Sequence, residues 1–223
     1  MTNEKSLEIV ADGKKIIVVS DVHLTDRFNP GKFADLERVI GQADLVVLNG
    51  DFWDGFQINY PDFVESDWNQ LFDLLKSKNT IYLYGNHDPQ SYGDGTEFSV
   101  AQSDRLVIRQ KGVVFNFQHG NRIDPSIEDR IHFPRWFLGL GNKLEGVMVM
   151  LLGKNYLRRY RRGNQTMKIW KAHNIQPDEW LVCGHSHFAE VSLENKFANS
   201  GLANWGFVQY LEIENGAVSL KNV

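Results

Sequence analysis

Val18-Val19-Ser20-Asp21-Val22-His23-Leu24 is the stretch of this sequence that best indicates its fold. It continues an apolar, β-branched run that starts at Ile16, a composition typical of a buried strand. Asp21 and His23 follow the strand, two residues apart. Because side chains alternate along an extended segment, we expect these two to face the same side. The stretch therefore predicts a metal-binding pair at the end of a strand.

Four further apolar strands are predicted to end in a cluster of polar residues. These strands are Leu45–Leu48, Thr80–Tyr84, Val113–Phe117 and Leu181–Cys183. The clusters that follow them are Asn49-Gly50-Asp51, Gly85-Asn86-His87-Asp88, His119-Gly120 and Gly184-His185-Ser186-His187. Ligands in open α/β sheets bind beyond the carboxyl ends of the strands, so we expect all five clusters to converge on one site.

The order of the predicted elements favours a layered α/β sandwich. Apolar spacing predicts helices over Phe33–Ile40 and over Ser66–Leu75, the second with Ser66 as its cap. These helices alternate with the early strands. The late strands follow one another directly and predict a closing β-meander over 191–193, 206–213 and 217–220. If these strands form two packed sheets, the apolar outer face of each sheet must be covered by helices.

Residues 123–174 lie between the fourth and fifth clusters and have a different character. Apolar segments alternate there with a basic segment, a composition that predicts inserted helices. An insert between two site-bearing strands is well placed to act as a lid. We therefore predict one domain over residues 1–223 with a helical lid over 123–174.

Length, charge and cysteine content narrow the class of protein. The 223 residues, of which 42% are hydrophobic and 23% charged, fit one globular domain. A net charge of −4 argues against a general nucleic-acid binder. The single cysteine, Cys183, excludes an intramolecular disulfide and is expected to be a buried core thiol. With a polar N-terminus and no long apolar run, we expect a cytoplasmic protein.

The donor types at the strand ends fit a pair of divalent cations. Asp51 has two carboxylate oxygens and could bridge both. Asp21, His23 and His187 would complete one site, and Asn86, His119 and His185 the other. This mixture of imidazole, carboxylate and amide oxygen suits Mn, Fe or Zn better than Ca, and we expect Mn first. Two such cations about 3.5–4 Å apart can clamp a phosphoryl group and acidify a water into a nucleophilic hydroxide.

Three neighbouring residues are predicted to support the chemistry. His87 follows Asn86 directly but lies outside the ligand set, so it could protonate the leaving oxygen or stabilise developing charge. Asp88 is predicted to orient His87. Asp54 is predicted to hold a ligand histidine from behind.

These clusters together resemble a known family. Asp21-Val22-His23, Gly50-Asp51-x-x-Asp54, Gly85-Asn86-His87-Asp88, His119-Gly120 and Gly184-His185-Ser186-His187 resemble the five motifs of the calcineurin-like metallophosphoesterases. The resemblance implies a four-layer αββα sandwich with two mixed sheets, a dinuclear centre with the ligands named above, and His87 as the catalytic histidine. Phe197-Ala198-Asn199-Ser200-Gly201 is similar to the family's strand-ending Asn-x-Gly turn, which implies that Asn199 helps to frame the site.

The resemblance leaves the substrate open. Gly50–Phe56 is similar to the aromatic version of its motif in UDP-2,3-diacylglucosamine diphosphatases, which also carry a helical insertion after the His-Gly pair. Those enzymes typically have arginine in place of His87 and aspartate in place of Asn121. We therefore predict hydrolysis of a phosphate ester or phosphodiester by a metal-bridging hydroxide. The alternatives are a pyrophosphatase acting on a nucleotide-sugar lipid, and a non-catalytic scaffold, which retention of every ligand disfavours.

The basic segment of the insert suggests an anionic partner. The segment Lys154–Lys171 contains seven basic residues and no acidic one, so it is either a solvated helix face or a surface for phosphate or anionic lipid. Arg122 could contact substrate or fix its own loop. The candidate substrate-binding residues are Arg122, Arg158, Arg159, Arg161 and Arg162. We expect a phosphorylated small-molecule or amphipathic substrate, with peripheral membrane contact through the insert as an option.

Overall fold

Two six-stranded β-sheets form the centre of the structure, a computed structural model that describes residues 4–125 and 135–223. The first sheet has the order β1-β6-β7-β8-β10-β9 and the second the order β12-β11-β2-β3-β4-β5. The strands are β1 (Ser6–Val10), β2 (Ile16–Val19), β3 (Leu45–Asn49), β4 (Ile81–Leu83), β5 (Ala101–Ser103), β6 (Arg105–Gln110), β7 (Val113–Phe117), β8 (Trp180–Cys183), β9 (Glu190–Ser192), β10 (Phe197–Asn199), β11 (Gln209–Glu214) and β12 (Ala217–Asn222). Both sheets mix parallel and antiparallel pairs, as predicted.

The two sheets pack face to face. Ile108 and Phe115 from the first sheet share one buried cluster with Val18, Val47 and Leu83 from the second. The β-branched and aromatic residues that favour these strands thus also fill the space between the sheets. Side chains that alternate with them, such as those of β2 and β3, face outward and need a second layer of cover.

Helices provide that outer cover on both sides. The helices are α1 (Pro30–Gly41), α2 (Tyr60–Glu65), α3 (Phe72–Ser77), α4 (Arg135–Leu152), α5 (Lys154–Leu157) and α6 (Arg161–Asn174), with 3₁₀ turns over Asp67–Leu71 and Arg158–Tyr160. Leu36 of α1 and Leu75 of α3 pack in the same core as Val19 of β2. On the other side, Met167 of α6 packs with Leu181 of β8. The predicted four-layer αββα sandwich is therefore confirmed.

Local sequence signals explain the first helix. Asn29 caps α1 by accepting a hydrogen bond from the backbone N–H of Lys32, and Pro30 stands at the first helical position, where its missing N–H is not needed. The predicted helix over Phe33–Ile40 is confirmed and begins three residues earlier. No helix within the described ranges is long and apolar enough to cross a membrane.

One predicted element is confirmed only in part, and another is wrong. The helix predicted over Ser66–Leu75 is split into a 3₁₀ turn and α3, and Ser66 makes no capping hydrogen bond because its hydroxyl donates to the carbonyl of Phe63. The closing β-meander does not form as one unit. Strand β9 pairs with β10 in the first sheet, whereas β11 and β12 pair in the second, so the chain changes sheet after Asn199.

The helices of the insert lie between β7 and β8, as predicted. Residues 126–134, which belong to the predicted insert 123–174, lie outside the described residues. Val149 of α4 and Leu157 of α5 pack with Leu202, in the loop between β10 and β11. The insert is thus anchored beside the ends of the strands, and its action as a lid stays a prediction.

Candidate metal centre

The predicted ligands lie in tight loops directly after their strands, in an unusual backbone conformation. Asp21, His23, Asp51, His185 and His187 all have positive φ, between 50° and 65°. Non-glycine residues rarely adopt this left-handed region, and such strain is found mostly at functional sites. The reason we gave for pairing Asp21 with His23, alternation along an extended strand, is therefore wrong, although the two side chains do converge.

The first group of candidate ligands consists of Asp21, His23 and His187. Their donor atoms all lie within 4.8 Å of one another. The Nε2 atoms of His23 and His187 face each other at 3.3 Å, and Nε2 of His187 lies 3.4 Å from Oδ1 of Asp21. Three donors converging on one point in this way fit a single divalent cation.

The second group consists of Asp51, His119 and His185, again with donor atoms within 4.8 Å of one another. Nε2 of His119 lies 3.1 Å from Oδ2 of Asp51. The side-chain oxygen of Asn86 lies 3.1 Å from both Nε2 of His119 and Nδ1 of His185, so it joins this group. The structure thus brings together all seven side chains proposed as ligands, in two neighbouring groups.

Hydrogen bonds behind two histidines turn the correct nitrogen toward the site. Nδ1 of His119 lies 2.8 Å from the carbonyl oxygen of Asn49, and Nε2 of His185 lies 2.8 Å from that of Asp124. A carbonyl only accepts, so each of these nitrogens donates, and the opposite nitrogen of the neutral ring keeps its lone pair for a cation. The orientation and chemistry of the donors therefore fit a divalent metal.

Asp51 belongs to the second group and also approaches the first. Its Oδ2 is 3.1 Å from Nε2 of His119 and 3.9 Å from Nε2 of His23. Its Oδ1 accepts a hydrogen bond of 2.9 Å from the backbone N–H of His87. Burial opposes the charge of this carboxylate, but the surrounding imidazoles, His119 foremost, hold the pKa of Asp51 well below its usual range. A fixed, ionised carboxylate thus lies within 4 Å of a histidine from each group.

A third, overlapping group consists of His23, Asp54 and His87. Oδ1 of Asp54 is 3.0 Å from Nδ1 of His87, a hydrogen bond that pairs the buried carboxylate with the imidazole. Burial opposes ionisation of Asp54, but the hydrogen bond to His87 and the charge interaction with that imidazole lower the pKa of the carboxyl. The close pair is the arrangement by which a carboxylate holds an imidazole in one tautomer and orientation.

The two supporting aspartates do not have the roles we predicted. Asp54 holds His87 and not one of the seven ligands. Asp88, predicted to orient His87, instead accepts hydrogen bonds from the backbone N–H groups of Asp51, Phe52 and Gly85, at 2.9, 2.6 and 2.8 Å. It is fully buried and joins the loop after β3 to the loop after β4.

Asn199 supports the loop that carries His185 and His187. Its side-chain N–H groups donate to the carbonyl of Gly184, at 2.6 Å, and to the side-chain oxygen of Asn164 on α6, at 3.0 Å. That oxygen also accepts from the hydroxyl of Ser186, at 2.6 Å. The sequence reasoning missed Asn164; its only signal is a polar residue on the apolar side of a predicted helix.

The candidate arginines lie away from the two groups. Arg122 forms ion pairs with Glu4 and Asp104, which supports the loop-fixing alternative. Arg159 pairs with Glu145. Arg158, Arg161 and Arg162 are exposed on the insert. Nothing in the geometry brings any of the five into contact with the candidate ligands.

Aromatic rings that the sequence reasoning did not assign line the histidine groups. The ring of Phe56 lies 4.4 Å from that of His87, centre to centre. The rings of Tyr160 and Trp205 lie 5.7 and 6.1 Å from that of His187. Phe56 ends the aromatic motif Gly50–Phe56 and Trp205 follows the Phe197–Gly201 turn by four residues, but neither motif indicates that its ring faces a histidine. Tyr160 lies in no motif. Together they place apolar surface around the candidate metal centre.

Gly50 is required by close packing beneath a ligand. It has a φ of +83°, and a Cβ atom there would lie 2.3 Å from Nδ1 of His119. We expect Gly50→Ala to displace His119, to lower metal affinity at least about tenfold and to destabilise the fold by more than the roughly 1–2 kcal/mol of backbone strain alone. Metal titration and urea unfolding measure both effects.

Gly112→Ala is the matched control for this experiment. Gly112 has a φ of +78° in the turn between β6 and β7, and a Cβ there would meet nothing within 4 Å. It should show the backbone strain without the loss of metal affinity. Equal effects of the two substitutions would show that packing against His119 is unimportant.

The charge on His119 makes metal binding depend on pH. Burial opposes its protonation, but the carboxylate of Asp51 outweighs this effect and raises the pKa of His119 from 6.5 to about 10. Protonation therefore stabilises the metal-free fold below pH 6.5, and this contribution is lost as the pH rises toward 10. A cation must displace this proton, so the apparent Kd should fall about tenfold per pH unit near neutrality. Calorimetry in buffers of different ionisation enthalpy should find about one proton released per ion bound to this group; a pH-independent Kd would contradict the prediction.

Comparison with known proteins agrees with this geometry. The profile of the calcineurin-like phosphoesterase family matches residues 14–189. The uncharacterized metallophosphoesterase YkuE of Bacillus subtilis is 30% identical over 129 residues, which are 53% of this chain and 42% of that protein. The chain thus spans less than half the length of this curated relative.

Solved structures resemble the chain at low sequence identity. Yfce, a phosphoesterase from E. coli, is 13% identical, with a TM-score of 0.51 over 94% of this chain and 98% of its own. Vps29 of Entamoeba histolytica, solved in complex with zinc, is 15% identical, with a TM-score of 0.48 over 94% and 98% of the two chains. The family profile covers well over half of the sequence and includes all five strand-end clusters. The chain therefore belongs to the calcineurin-like phosphoesterase family.

Proposed function

We propose that this protein is a dinuclear metal-dependent phosphoesterase that hydrolyses a phosphate ester or phosphodiester. The position of Asp51 is the observation that carries the proposal. Its Oδ2 lies 3.1 Å from His119 in one ligand group and 3.9 Å from His23 in the other. A carboxylate shared between two groups suits two cations better than one. Mn is our first choice of metal, and Fe or Zn would accept the same donors.

The roles of the chain's own residues follow from this arrangement. When bound, a pair of cations would neutralise phosphoryl oxygens and lower the pKa of a water so that it attacks phosphorus at neutral pH. His87 stands beside the ligand Asn86, within the same cluster of rings, with its ring 4.5 Å from that of His23. Asp54 accepts a hydrogen bond from Nδ1 of His87 and holds its ring in place. As an imidazolium, His87 would then give a proton to the leaving oxygen.

The aromatic rings around the site support a substrate with an apolar part. Phe56 lies against His87, while Tyr160 and Trp205 lie near His187, on the two sides of the centre. Such rings would pack against an aromatic or acyl group next to the phosphate. The same observation favours a second candidate, a pyrophosphatase acting on a nucleotide-sugar lipid, because that substrate combines a phosphate bridge with a base and acyl chains.

The test is hydrolysis by metal-stripped protein to which Mn, Fe or Zn is added back. Bis(p-nitrophenyl) phosphate, p-nitrophenyl phosphate and a nucleotide-sugar lipid diphosphate serve as diester, monoester and pyrophosphate substrates. We expect turnover that needs two equivalents of metal and prefers an ester with an apolar group. Metal content is measured on the same samples.

Two outcomes would overturn the proposal. Full activity at one equivalent of metal would show that the centre is not dinuclear. Tight binding of two ions with no hydrolysis of any of the three substrates would favour the non-catalytic scaffold.

A further inference from the structure

Helix α4 exposes a row of large apolar side chains. Leu144, Val147, Met150 and Leu151 are exposed to 64, 52, 85 and 71% of their full surface. At 100° per residue these four positions span about one third of the helix circumference. Single exposed apolar residues are ordinary, but four adjacent ones on a single helix face mark an interaction surface.

The side of α4 that carries Gly146 and Val149 already has its partners. Val149 is buried with Leu202, and a Cβ on Gly146 would lie 2.9 Å from the ring of Trp205. Helical geometry places Val147 and Leu151 about 160° away from Val149. The exposed row therefore points away from the protein core and from the metal centre, so packing within the described part of the chain does not explain it.

Positive charge follows the row in the sequence. The chain carries a net charge of −4, yet residues 146–177 contain seven lysines and arginines and no acidic residue. Arg158, Arg161 and Arg162 are exposed in the helical turns that follow α4, and none forms an ion pair with another described residue. The other basic residues of this segment whose contacts are described have partners. Arg159 pairs with Glu145, Lys168 pairs with Glu190, and Lys171 donates to backbone carbonyls.

We propose that this face of the insert, defined by Leu144, Val147, Met150, Leu151, Arg158, Arg161 and Arg162, docks on the surface of an anionic lipid bilayer. An apolar helix face beside unpaired arginines is the composition of helices that lie in the bilayer interface, where apolar side chains enter the acyl boundary and arginines contact lipid phosphates. Charge complementarity favours an anionic bilayer over a second copy of the chain as the partner of this face. A second copy of the chain in a two-fold dimer would bring the same arginines together and repel.

The proposal is independent of the proposed activity. Docking needs only the outer face of α4 and the turns after it, whereas hydrolysis needs the residues around Asp51. Since the inner face of α4 packs against Trp205, whose ring lies 6.1 Å from that of His187, docking would leave α4 between the metal centre and the membrane surface.

Flotation of the full chain with vesicles tests the proposal. We expect binding to vesicles of phosphatidylcholine with 30% phosphatidylglycerol, about tenfold weaker binding to pure phosphatidylcholine and weaker binding at high salt, because the charge contribution is screened. Met150→Glu with Leu151→Glu should weaken binding at least about tenfold, and Arg161→Glu with Arg162→Glu should do the same.

Matched controls separate this surface from general effects of charge. Leu193 is 67% exposed and lies just after β9, so Leu193→Glu makes a similar change elsewhere. Lys14→Glu with Lys76→Glu reverses two exposed charges outside the insert. Neither control should alter flotation. Absence of binding to anionic vesicles would overturn the proposal, as would concentration-dependent dimerisation abolished by Met150→Glu with Leu151→Glu.

Discussion

Replacement of Asp51 with asparagine is expected to remove high-affinity metal binding and, with it, hydrolysis. Asparagine keeps the size of the side chain but loses the charge and one of two acceptor oxygens. Loss of a residue behind a metal ligand costs about 10–100-fold in metal affinity. Asp51 lies within 4 Å of histidines in both groups, so loss of its carboxylate should lower metal affinity more than about 100-fold. Calorimetric titration with Mn or Zn, with metal content after dialysis, measures this loss.

The same substitution has a consequence that does not involve metal. The carboxylate of Asp51 is the largest influence that opposes burial and raises the pKa of His119 to about 10. In metal-free Asp51→Asn, His119 should therefore lose its proton at a much lower pH, which NMR of the imidazole carbons can follow. Asp104→Asn, outside the two ligand groups, is the control. Normal metal affinity of Asp51→Asn would exclude the bridging role, and an unchanged pKa of His119 would exclude the contact.

The positions of the ligands were predictable because the signal is local and repeated. Each lies after an apolar run that must be a buried strand, and parallel strands bring their carboxyl ends to one edge. Strands β2, β3 and β4 do pair in parallel, which places Asp21, Asp51 and Asn86 together. Sequence spacing could not give the backbone conformation of these loops. The positive φ of Asp21 and His23 depends on hydrogen bonds of their loop to the backbone around Asp51.

The roles of Asp54 and Asp88 could not be predicted for a similar reason. Both aspartates follow a ligand by two or three residues, so sequence spacing alone allows either of them to reach His87. Backbone N–H groups in the loop after β3 need a buried acceptor, and Asp88 accepts their hydrogen bonds. Asp54 is therefore the aspartate that pairs with His87. Contacts between elements distant in sequence, such as Asn164 with Asn199, lie equally beyond pattern reasoning.

Replacement of His87 with alanine should lower kcat by about 10²–10⁴-fold, the usual contribution of a general acid or base, and leave metal content unchanged. The imidazole is paired with Asp54 and lies outside the groups Asp21–His23–His187 and Asp51–His119–His185. If His87 protonates the leaving oxygen, the loss should be larger for a phenyl ester than for a p-nitrophenyl ester, whose leaving group needs no proton. Parallel rate measurements on both esters, with metal analysis, test this.

A comparison with Asp54→Asn and His173→Ala makes the test of His87 decisive. Asp54→Asn should lower kcat less than His87→Ala, since it removes only the group that orients the imidazole, and the two substitutions together should be no worse than His87→Ala alone. His173 is exposed near the end of α6 and serves as the control histidine. His173→Ala should leave kcat unchanged. The group of His23, Asp54 and His87 supplies the competing explanation, a cation bound directly by His87. In that case His87→Ala and Asp54→Asn would each lose one equivalent of metal, and the loss of rate would be the same for both esters.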